Sequence, residues 1–423
     1  MGWLLGFLAL LGLPMFALFG ALALWAYGSQ GMDAAIVINE LKRLTAMPTL
    51  QALPMFALAG YVLAGSRASE RLLRLTRAAF GWMPGGLAVV GVVVCTFLTA
   101  FTGASGVTIV ALGGLLLPAM LRNGYDEKTA LGLVTSGGNM GVLFAPSLPL
   151  ILYAILAQPI SGEVTLDALF RAGILPGLLC VAAFCAYCVW RGRRAAVRRD
   201  PFSARELGAA LWEAKWELPL PFVVLGAIYS GVLVVGEAAV LTAAYALVVE
   251  VLIQREIPWK RLTFLVRDTV ILVGGVLLIL GMGMAITNWL VDQEVPQHIL
   301  DWVGARVAHP LLFLVLLNAV LLLAGCVMDI YTATVVLVPL LAPLAARYGI
   351  HPVHLAIVFL ANLAIGYSTP PVGMNLFIAA IRLDRPLLKL AAASLPWMAL
   401  MLVLLLAITY CPSLSLCLLP PAP

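Results

Sequence analysis

The chain has 423 residues, of which 63% are apolar and only 11% charged, with a net charge of +5. Soluble domains are roughly 45 to 50% apolar and about 25% charged. This composition therefore excludes a soluble enzyme, a nucleic-acid-binding protein, a secreted disulfide scaffold and a disordered chain. At about 20 residues per crossing, the apolar residues suffice for on the order of a dozen transmembrane helices. The sequence predicts an all-α polytopic membrane protein.

The N-terminal stretch from Gly2 to Tyr27 is apolar from its start and lacks a basic region, which predicts a retained helix rather than a cleaved signal peptide. A second crossing is predicted at 47–65. The next segment carries arginines at helical spacing, which predicts an interfacial arm whose guanidinium groups face lipid headgroups, with docking of a partner as the alternative. These arginines are Arg67, Arg71, Arg74 and Arg77.

The first long uncharged stretch, Gly86 to Leu121, has 36 residues without Asp, Glu, Lys or Arg. It is too long for one crossing and rather short for two crossings with a loop, so it predicts a re-entrant helical hairpin. Its middle, Thr102 to Gly106, reads Thr-Gly-Ala-Ser-Gly, which breaks helices and offers backbone and hydroxyl oxygens.

A second stretch of the same length, Leu311 to Ala346, contains one charged residue, Asp329, near its middle. It predicts a second hairpin. A shift of 225 residues relates the two stretches and continues beyond them, with glycines and prolines in ungapped register, which predicts an internal duplication. The matched pairs are Pro118 and Pro343, Gly124 and Gly349, Gly141 and Gly366, and Pro146 and Pro371.

Each predicted hairpin is followed by an interrupted apolar segment, at 129–157 and at 355–381. Prolines and glycines there free backbone groups that lipid cannot satisfy. The sequence therefore predicts two broken helices that are buried in protein or line a wet cavity.

Charge counting predicts the topology. Nine crossings plus the two hairpins place 20 of the 25 Lys and Arg residues on one side, which the positive-inside rule makes cytoplasmic. Merging 219–253 into one crossing gives only 15 against 10. The nine-crossing version orients the duplicated halves oppositely, which is typical of secondary transporters with a binding site near the membrane midplane. The predicted crossings are 3–27, 47–65, 129–157, 172–190, 219–235, 237–253, 269–291, 355–381 and 391–411.

The interruptions also predict the chemistry. Unwound carbonyls with Ser, Thr and Asn side chains can replace the hydration shell of Na⁺, and half-helix N-termini attract carboxylates. One site is expected where 102–108 meets 136–139, and a second where 325–332 meets 362–369. The alternative is that these small residues only allow close helix packing. The expected sodium ligands are Thr102, Ser105, Ser136, Gly138, Asn139, Gly325, Asp329, Asn362, Gly366 and Thr369.

Two carboxylates have open roles. Asp329, in so apolar a setting, is either a coupling or gating residue or a helix-cap or turn residue. Glu237, at the junction of two apolar runs, is interpreted as a cap or hairpin polar group rather than a ligand.

Four segments of the sequence resemble the large membrane subunit of tripartite ATP-independent periplasmic (TRAP) transporters, the DctM-like family. The resemblance extends over nearly the whole chain. Its patterns are FTGASGVTIVALGGLLLPAMLRNGY, VTSGGNMGVLFAPSLPLILYAILA, LFRAGILPG and GCVMDIYTATVVLVPLLAPLAARYGIHPVHLAIVFLANLAIGYSTPPVGMNLFIAA.

The resemblance implies a sodium-driven importer of small organic anions, usually carboxylates, in the bacterial inner membrane. It implies that a transport domain moves against a scaffold as an elevator. The implied partners are a small four-helix membrane subunit, a periplasmic substrate-binding protein and membrane lipid, and no nucleic acid. The implied substrate contacts are Thr102, Gly103, Ser105, Asn139, Pro146, Asp329, Thr369, Pro370, Pro371 and Asn375.

The predicted domain organisation follows the duplication. Residues 1–81 form scaffold helices and the interfacial arm, 82–190 the first repeat of the transport domain, and 191–306 a cytoplasmic linker with further scaffold helices. Residues 307–390 form the second repeat and 391–423 the C-terminal helix. The first tip departs from the family, since it reads Gly-Ala-Ser-Gly where many members have a serine-richer stretch. Val234, Val235 and Gly236 likewise stand where Thr-Pro-Thr often occurs.

Other functions are less favoured. A channel conflicts with paired interruptions that face opposite sides. A membrane-embedded enzyme would need a metal-binding set or a Ser/His pair at membrane depth, which the sequence does not offer. A stand-alone carboxylate transporter that works without a binding protein remains the main alternative.

Overall fold

Helices form every regular element in residues 13–194, 197, 200–307 and 309–419, the part of the chain that this computed structural model describes. The predicted first crossing begins in residues 1–12, which lie outside that part. The helices before the first uncharged stretch are α1 (Met15–Ser29), α2 (Ala35–Thr45), α3 (Ala52–Gly65) and α4 (Ala68–Phe80).

The first hairpin and the first broken helix form where the uncharged stretch and its Gly/Pro-rich sequel predict them. Asp126 starts the broken helix by accepting a hydrogen bond from the Thr129 amide at 3.0 Å. A short turn, Met140–Leu143, lies between the two halves of the broken helix. The helices are α5 (Gly86–Thr102), α6 (Ser105–Arg122), α7 (Glu127–Gly137), α8 (Leu148–Ala157) and α9 (Leu166–Arg194).

The central segment contains α10 (Ala204–Glu213), α11 (Pro219–Tyr229), α12 (Val235–Leu247), α13 (Trp259–Asp292) and α14 (Val295–Gly304). The crossing predicted at 219–235 is wrong in length, because α11 has only 11 residues. The chain turns at Gly231, whose φ is +74°. Glu237 caps α12 by accepting a hydrogen bond from the Val234 amide at 3.1 Å, which confirms the cap interpretation.

The second hairpin and the second broken helix repeat the first set. The helices are α15 (Pro310–Val327), α16 (Ile330–Arg347), α17 (Pro352–Gly366), α18 (Met374–Leu383), α19 (Leu387–Tyr410) and α20 (Ser413–Leu416). Both bounds of α6 match those of α16 after the 225-residue shift, and the first residues of α7 and α17 match likewise. The predicted hairpins and breaks are confirmed.

The two repeats exchange contacts reciprocally. The second arm of hairpin one, α6, packs against α18 of the second repeat, and the second arm of hairpin two, α16, packs against α8 of the first. This reciprocal packing is what a two-fold relation between the repeats produces. Beside them, the 34-residue α13 packs against α1, α2, α3 and α16, and α3 packs against α12.

Membrane-spanning potential agrees with a polytopic protein. In the described ranges, seven helices are long and apolar enough to cross a bilayer, and the count rises to nine if each of two bent helix pairs is one span. One of these pairs is the first broken helix, whose halves meet at 42°.

The arginine stripe on α4 pairs with carboxylates of the same chain, which the sequence did not predict. Contact of these side chains with lipid headgroups stays a prediction. Arg71 contacts Glu217 at 2.6 Å, Glu250 at 3.2 Å and also Glu256. Burial opposes the charge of Arg71, but the three carboxylates outweigh it and hold its pKa above the usual value. Arg67 pairs with Glu70, Arg74 with Glu206 and Glu213, and Arg77 with Asp200.

Candidate functional site

The first hairpin turns at Gly103, whose φ of +65° favours glycine. A Cβ at this position would lie 2.3 Å from Cγ of Leu148, so the tip is pressed against the start of α8. The Gly103 carbonyl accepts a hydrogen bond of 3.0 Å from the hydroxyl of Tyr331 on α16. The tip of hairpin one therefore contacts both repeats, the first through Leu148 and the second through Tyr331.

Four buried polar side chains form a hydrogen-bonded chain across the repeats, which we call the tip cluster: Ser105, Asn139, Ser368 and Asn375. The Ser105 hydroxyl bonds Asn375 at 2.8 Å, the Asn375 amide bonds Asn139 at 2.7 Å, and the Asn139 amide bonds Ser368 at 2.8 Å. None of the four is more than 5% exposed. Three were predicted as site residues, and the structure brings them together with Ser368.

The two segments expected to form the first sodium site also meet. A Cβ at Gly138 would lie 2.9 Å from the carbonyl oxygen of Ser105, so the break after α7 touches the hairpin tip directly. The Ser136 hydroxyl is fully buried and has no hydrogen-bond partner among the described residues. Thr102 is also fully buried, and its hydroxyl donates to the Ala104 carbonyl at 3.3 Å.

The segments expected to form the second site meet at two glycines. A Cβ at Gly325 would lie 3.1 Å from Cα of Gly366. The predicted ligand Asp329 begins α16 as its cap, since one carboxylate oxygen accepts hydrogen bonds of 3.0 Å from the amides of both Tyr331 and Thr332. Its other oxygen accepts the Thr332 hydroxyl. Asp329 therefore caps α16, and its coupling or gating role stays a prediction.

Asn362 belongs to a second buried polar group. Its amide nitrogen donates to Asn318 at 2.7 Å and to the Val358 carbonyl at 2.8 Å. A carbonyl can only accept, so the nitrogen must face Val358 and the Asn362 oxygen points elsewhere. That oxygen is buried without a partner among the described residues. The Asn318 amide nitrogen in turn donates a hydrogen bond of 3.3 Å to the Thr409 hydroxyl.

The remaining predicted substrate contacts do not line the main cavity. Pro146 is buried, and the peptide bonds before Pro146 and Pro371 are cis. Thr369 donates its hydroxyl to the Ile365 carbonyl at 2.8 Å. Pro370 and Pro371 are exposed. The role of these residues in substrate binding stays a prediction.

A cavity of about 770 Å³ lies where hairpin one faces α3, α4 and α13. One wall is α6 from the tip to Leu115, and the opposite wall combines the α3–α4 junction with α13. Gly103, Ser105 and Asn139 reach this cavity, and so do Ile330 and Tyr331 of the second hairpin. Such a volume suits a small ligand.

Known proteins support a transporter. The sequence profile of the DctM component of the tripartite ATP-independent periplasmic transporters matches residues 1–414. The chain belongs to this family. It is a multi-pass protein of the bacterial inner membrane, and its family is one of transporter permeases.

The names of individual relatives give different transported solutes. The isethionate TRAP permease DctMQ of Oleidesulfovibrio alaskensis is 35% identical, and the match covers 87% of this chain but only 57% of that protein. The C4-dicarboxylate large permease of Rhodobacter capsulatus is 32% identical over 87% of this chain and 86% of its own length. The ectoine large permease TeaC of Halomonas elongata is 30% identical over 96% and 93%.

A solved structure supports the fold alone. The YdaH transporter of Alcanivorax borkumensis superposes with a TM-score of 0.65 over 91% of this chain and 89% of its own, at 15% sequence identity.

Sequence reasoning missed several residues of this permease. Tyr331 and Ser368 lie inside the segments predicted for the second site but are not among the predicted ligands, because hydroxyl groups in such segments carry no distinctive pattern. Arg382 lines the cavity, although the sequence marks it only as one of the cytoplasmic charges. Its spacing of four residues from Ile378 on a helix beside the tip is the one signal that could have placed it there.

Proposed function

We propose that this chain is the sodium-coupled permease subunit of an importer of small organic anions, carboxylates above all. In this proposal a periplasmic binding protein delivers the substrate, and a small four-helix membrane subunit completes the complex. The family and the substrates in the names of the relatives support an organic solute. The observation that carries the proposal is an uncapped helix start that faces the cavity.

That helix start is the N-terminus of α6. The residue before it, Ala104, has no side-chain acceptor, whereas at the equivalent position of hairpin two the carboxylate of Asp329 caps α16. Free backbone N–H groups and the helix dipole favour an anion at an N-terminus. Ala104, Ser105 and Gly106 all line the cavity. A substrate carboxylate would take the place at α6 that Asp329 takes at α16.

The donor set at the first tip fits a sodium ion. Sodium prefers oxygen ligands, and the hydroxyl of Ser136 is a buried oxygen without a partner beside the Ser105–Gly138 contact. Ser136 and Asn139 would hold the ion together with backbone carbonyls of the break. Sodium would supply a positive charge next to the anion and link uptake to the ion gradient.

The tip cluster supports movement of the repeats as one body. It joins residues of both repeats by buried hydrogen bonds, and the cavity lies between hairpin one and parts of α3, α4 and α13. We infer an elevator movement of the repeats against these helices. The cavity reaches Arg261 and Arg382, on the arginine-rich side that charge counting assigns to the cytoplasm.

Uptake by proteoliposomes tests the proposal. Liposomes containing this chain and its small subunit, with the binding protein outside, are expected to accumulate labelled succinate, isethionate or ectoine only under an inward Na⁺ gradient. Uptake that persists when choline replaces Na⁺, without another cation gradient, would reject the coupling. If none of the three solutes is transported, the result would count against the proposed substrate class. Uptake by this chain alone would favour the stand-alone alternative.

A matched serine pair tests the ion site. Ser136→Ala should raise the Na⁺ concentration for half-maximal uptake at least tenfold. Ser394 on α19 is an equally buried serine whose hydroxyl also lacks a partner among the described residues, but it belongs neither to the hairpin tip nor to the break after α7. Ser394→Ala should leave the Na⁺ dependence unchanged.

A further inference from the structure

We propose that Arg382 binds a second anionic group of the substrate and so selects dianions over monoanions. This inference rests on the proposed function, because it assigns the far end of the same cavity. It is carried by how the side chain is held, by its lack of an internal counter-charge and by its distance from the hairpin tip.

Arg382 is held against hairpin one by backbone contacts. One turn earlier on α18, Ile378 packs on the tip so closely that a Cβ at Gly106 would lie 2.5 Å from its Cδ1. The Arg382 Nε atom donates a hydrogen bond of 3.0 Å to the Val110 carbonyl. Gly114 leaves the room for the guanidinium, since a Cβ there would lie 2.9 Å from Nη2. The group is therefore oriented before any ligand arrives.

The charge of Arg382 is uncompensated. No carboxylate lies within 4.0 Å of its nitrogens in the described ranges, which include all 20 Asp and Glu residues of the chain. The nearby Arg385 and Lys389 both pair with Glu127, at 2.8 and 2.6 Å. A planar guanidinium with unused donors suits bidentate binding of a carboxylate or sulfonate.

The other charges of the cavity do not neutralise Arg382. Glu70 on α4 is engaged by Arg67 at 2.9 Å, while Arg261 and Asp268 line the α13 wall. Arg382 is the cation contributed by the repeats, so it would travel with a bound substrate if the repeats move as one body.

The distance along α6 sets the substrate length. Five residues separate Ser105 at the tip from Val110, whose carbonyl holds Arg382, and an α-helix rises about 7.5 Å over that span. A short-chain dianion can place one group at the N-terminus of α6 and the other at the guanidinium. A monoanion of similar size can occupy only one of the two positions.

Ligand-dependent thermal unfolding of the purified membrane complex in Na⁺ buffer tests the inference, with succinate and butyrate as probes. Succinate should stabilise the unsubstituted complex at a concentration at least tenfold lower than butyrate. Arg382→Gln should raise the concentration needed for succinate at least tenfold and leave that for butyrate unchanged. Arg382→Lys, which keeps the charge but not the bidentate fork, should lose most of the preference as well.

Arg122→Gln is the matched control, because Arg122 ends α6, the helix whose Val110 carbonyl holds Arg382, and lies outside the cavity. This variant should behave like the unsubstituted complex. An unchanged succinate response in both Arg382 variants would overturn the inference, and so would equal responses to succinate and butyrate before substitution. Either result would leave the proposed function standing. If neither anion stabilises the unsubstituted complex in Na⁺, the proposed anion site fails and the inference with it.

Discussion

The two hairpin tips occupy equivalent positions of the duplication but end in different chemistry. Hairpin one turns through Gly103 with φ +65° and leaves α6 uncapped after Ala104. Hairpin two turns through Met328 with φ −112° and caps α16 with Asp329. The backbone plan is shared, whereas one helix start is already occupied by a carboxylate and the other is open to the cavity.

The tip cluster shows the same divergence. The 225-residue shift relates its members Ser105, Asn139, Ser368 and Asn375 to Ile330, Ala364, Leu143 and Leu150. All four polar side chains therefore meet in one of the two equivalent places, and the other place is apolar. The two repeats therefore share a backbone arrangement, but only one of the two equivalent sets of positions has polar side chains.

The largest expected effect comes from the turn of hairpin one. Gly103→Val should destabilise the protein by about 3 kcal/mol, because a β-branched residue is strained at positive φ and would collide with Leu148. Thermal unfolding in detergent would show the loss. Met328→Val is the control in hairpin two, where the backbone is extended, and should be nearly neutral. Equal effects at both tips would contradict the difference between the turns.

Transplanting the cap should separate stability from transport. Ala104→Asp should stabilise α6 by about 1 kcal/mol, as an N-cap does, yet reduce anion uptake at least tenfold because its carboxylate fills the proposed substrate position. Ala104→Asn, a cap without charge, should cause a smaller loss of uptake. Unimpaired transport in the Asp variant would show that the substrate does not use this helix start.

Removing the link between the repeats should have an intermediate effect. Asn375→Leu introduces the residue found at the equivalent Leu150 and leaves Ser105 and Asn139 short of a partner, at a cost of about 1 to 3 kcal/mol. A double-mutant cycle with Asn139→Ala should give a coupling energy above about 0.5 kcal/mol. Additive effects would mean that the observed hydrogen bond contributes nothing.

The smallest effects are expected at the cap of hairpin two. Asp329→Ala should cost about 1 kcal/mol, whereas Asp329→Asn should stay within a few tenths, because Asn caps helices as well as Asp does. Uptake assays should show the same Na⁺ dependence for the Asn variant and the unsubstituted protein. If Asp329→Asn instead needs more Na⁺ than the unsubstituted protein, Asp329 is an ion ligand and not only a cap.

Hairpins and breaks were predictable because their causes are local. A stretch without charges must stay in the membrane, and glycines or prolines interrupt a helix wherever they occur. The start of α16 at Asp329 follows from an Asp that precedes an apolar helix. The same local patterns carried the family resemblance.

Contacts between distant segments could not be predicted in the same way. The arginine stripe has helical spacing, but its pairing with Glu217 and Asp200 depends on where the central segment folds. Asn362 was expected as a ligand, and its bond to Asn318 became visible only once α15 and α17 were packed together.

The sequence by itself determined that this chain spans a membrane, where it is duplicated and where its helices break, since hydropathy and glycine or proline placement act within a few turns. Tertiary structure decided which polar groups meet. It joined Ser105 to Asn375 and placed Arg382 beside Val110, pairs more than 250 residues apart. Such pairs form only when two helices pack against each other, and no local pattern encodes that packing.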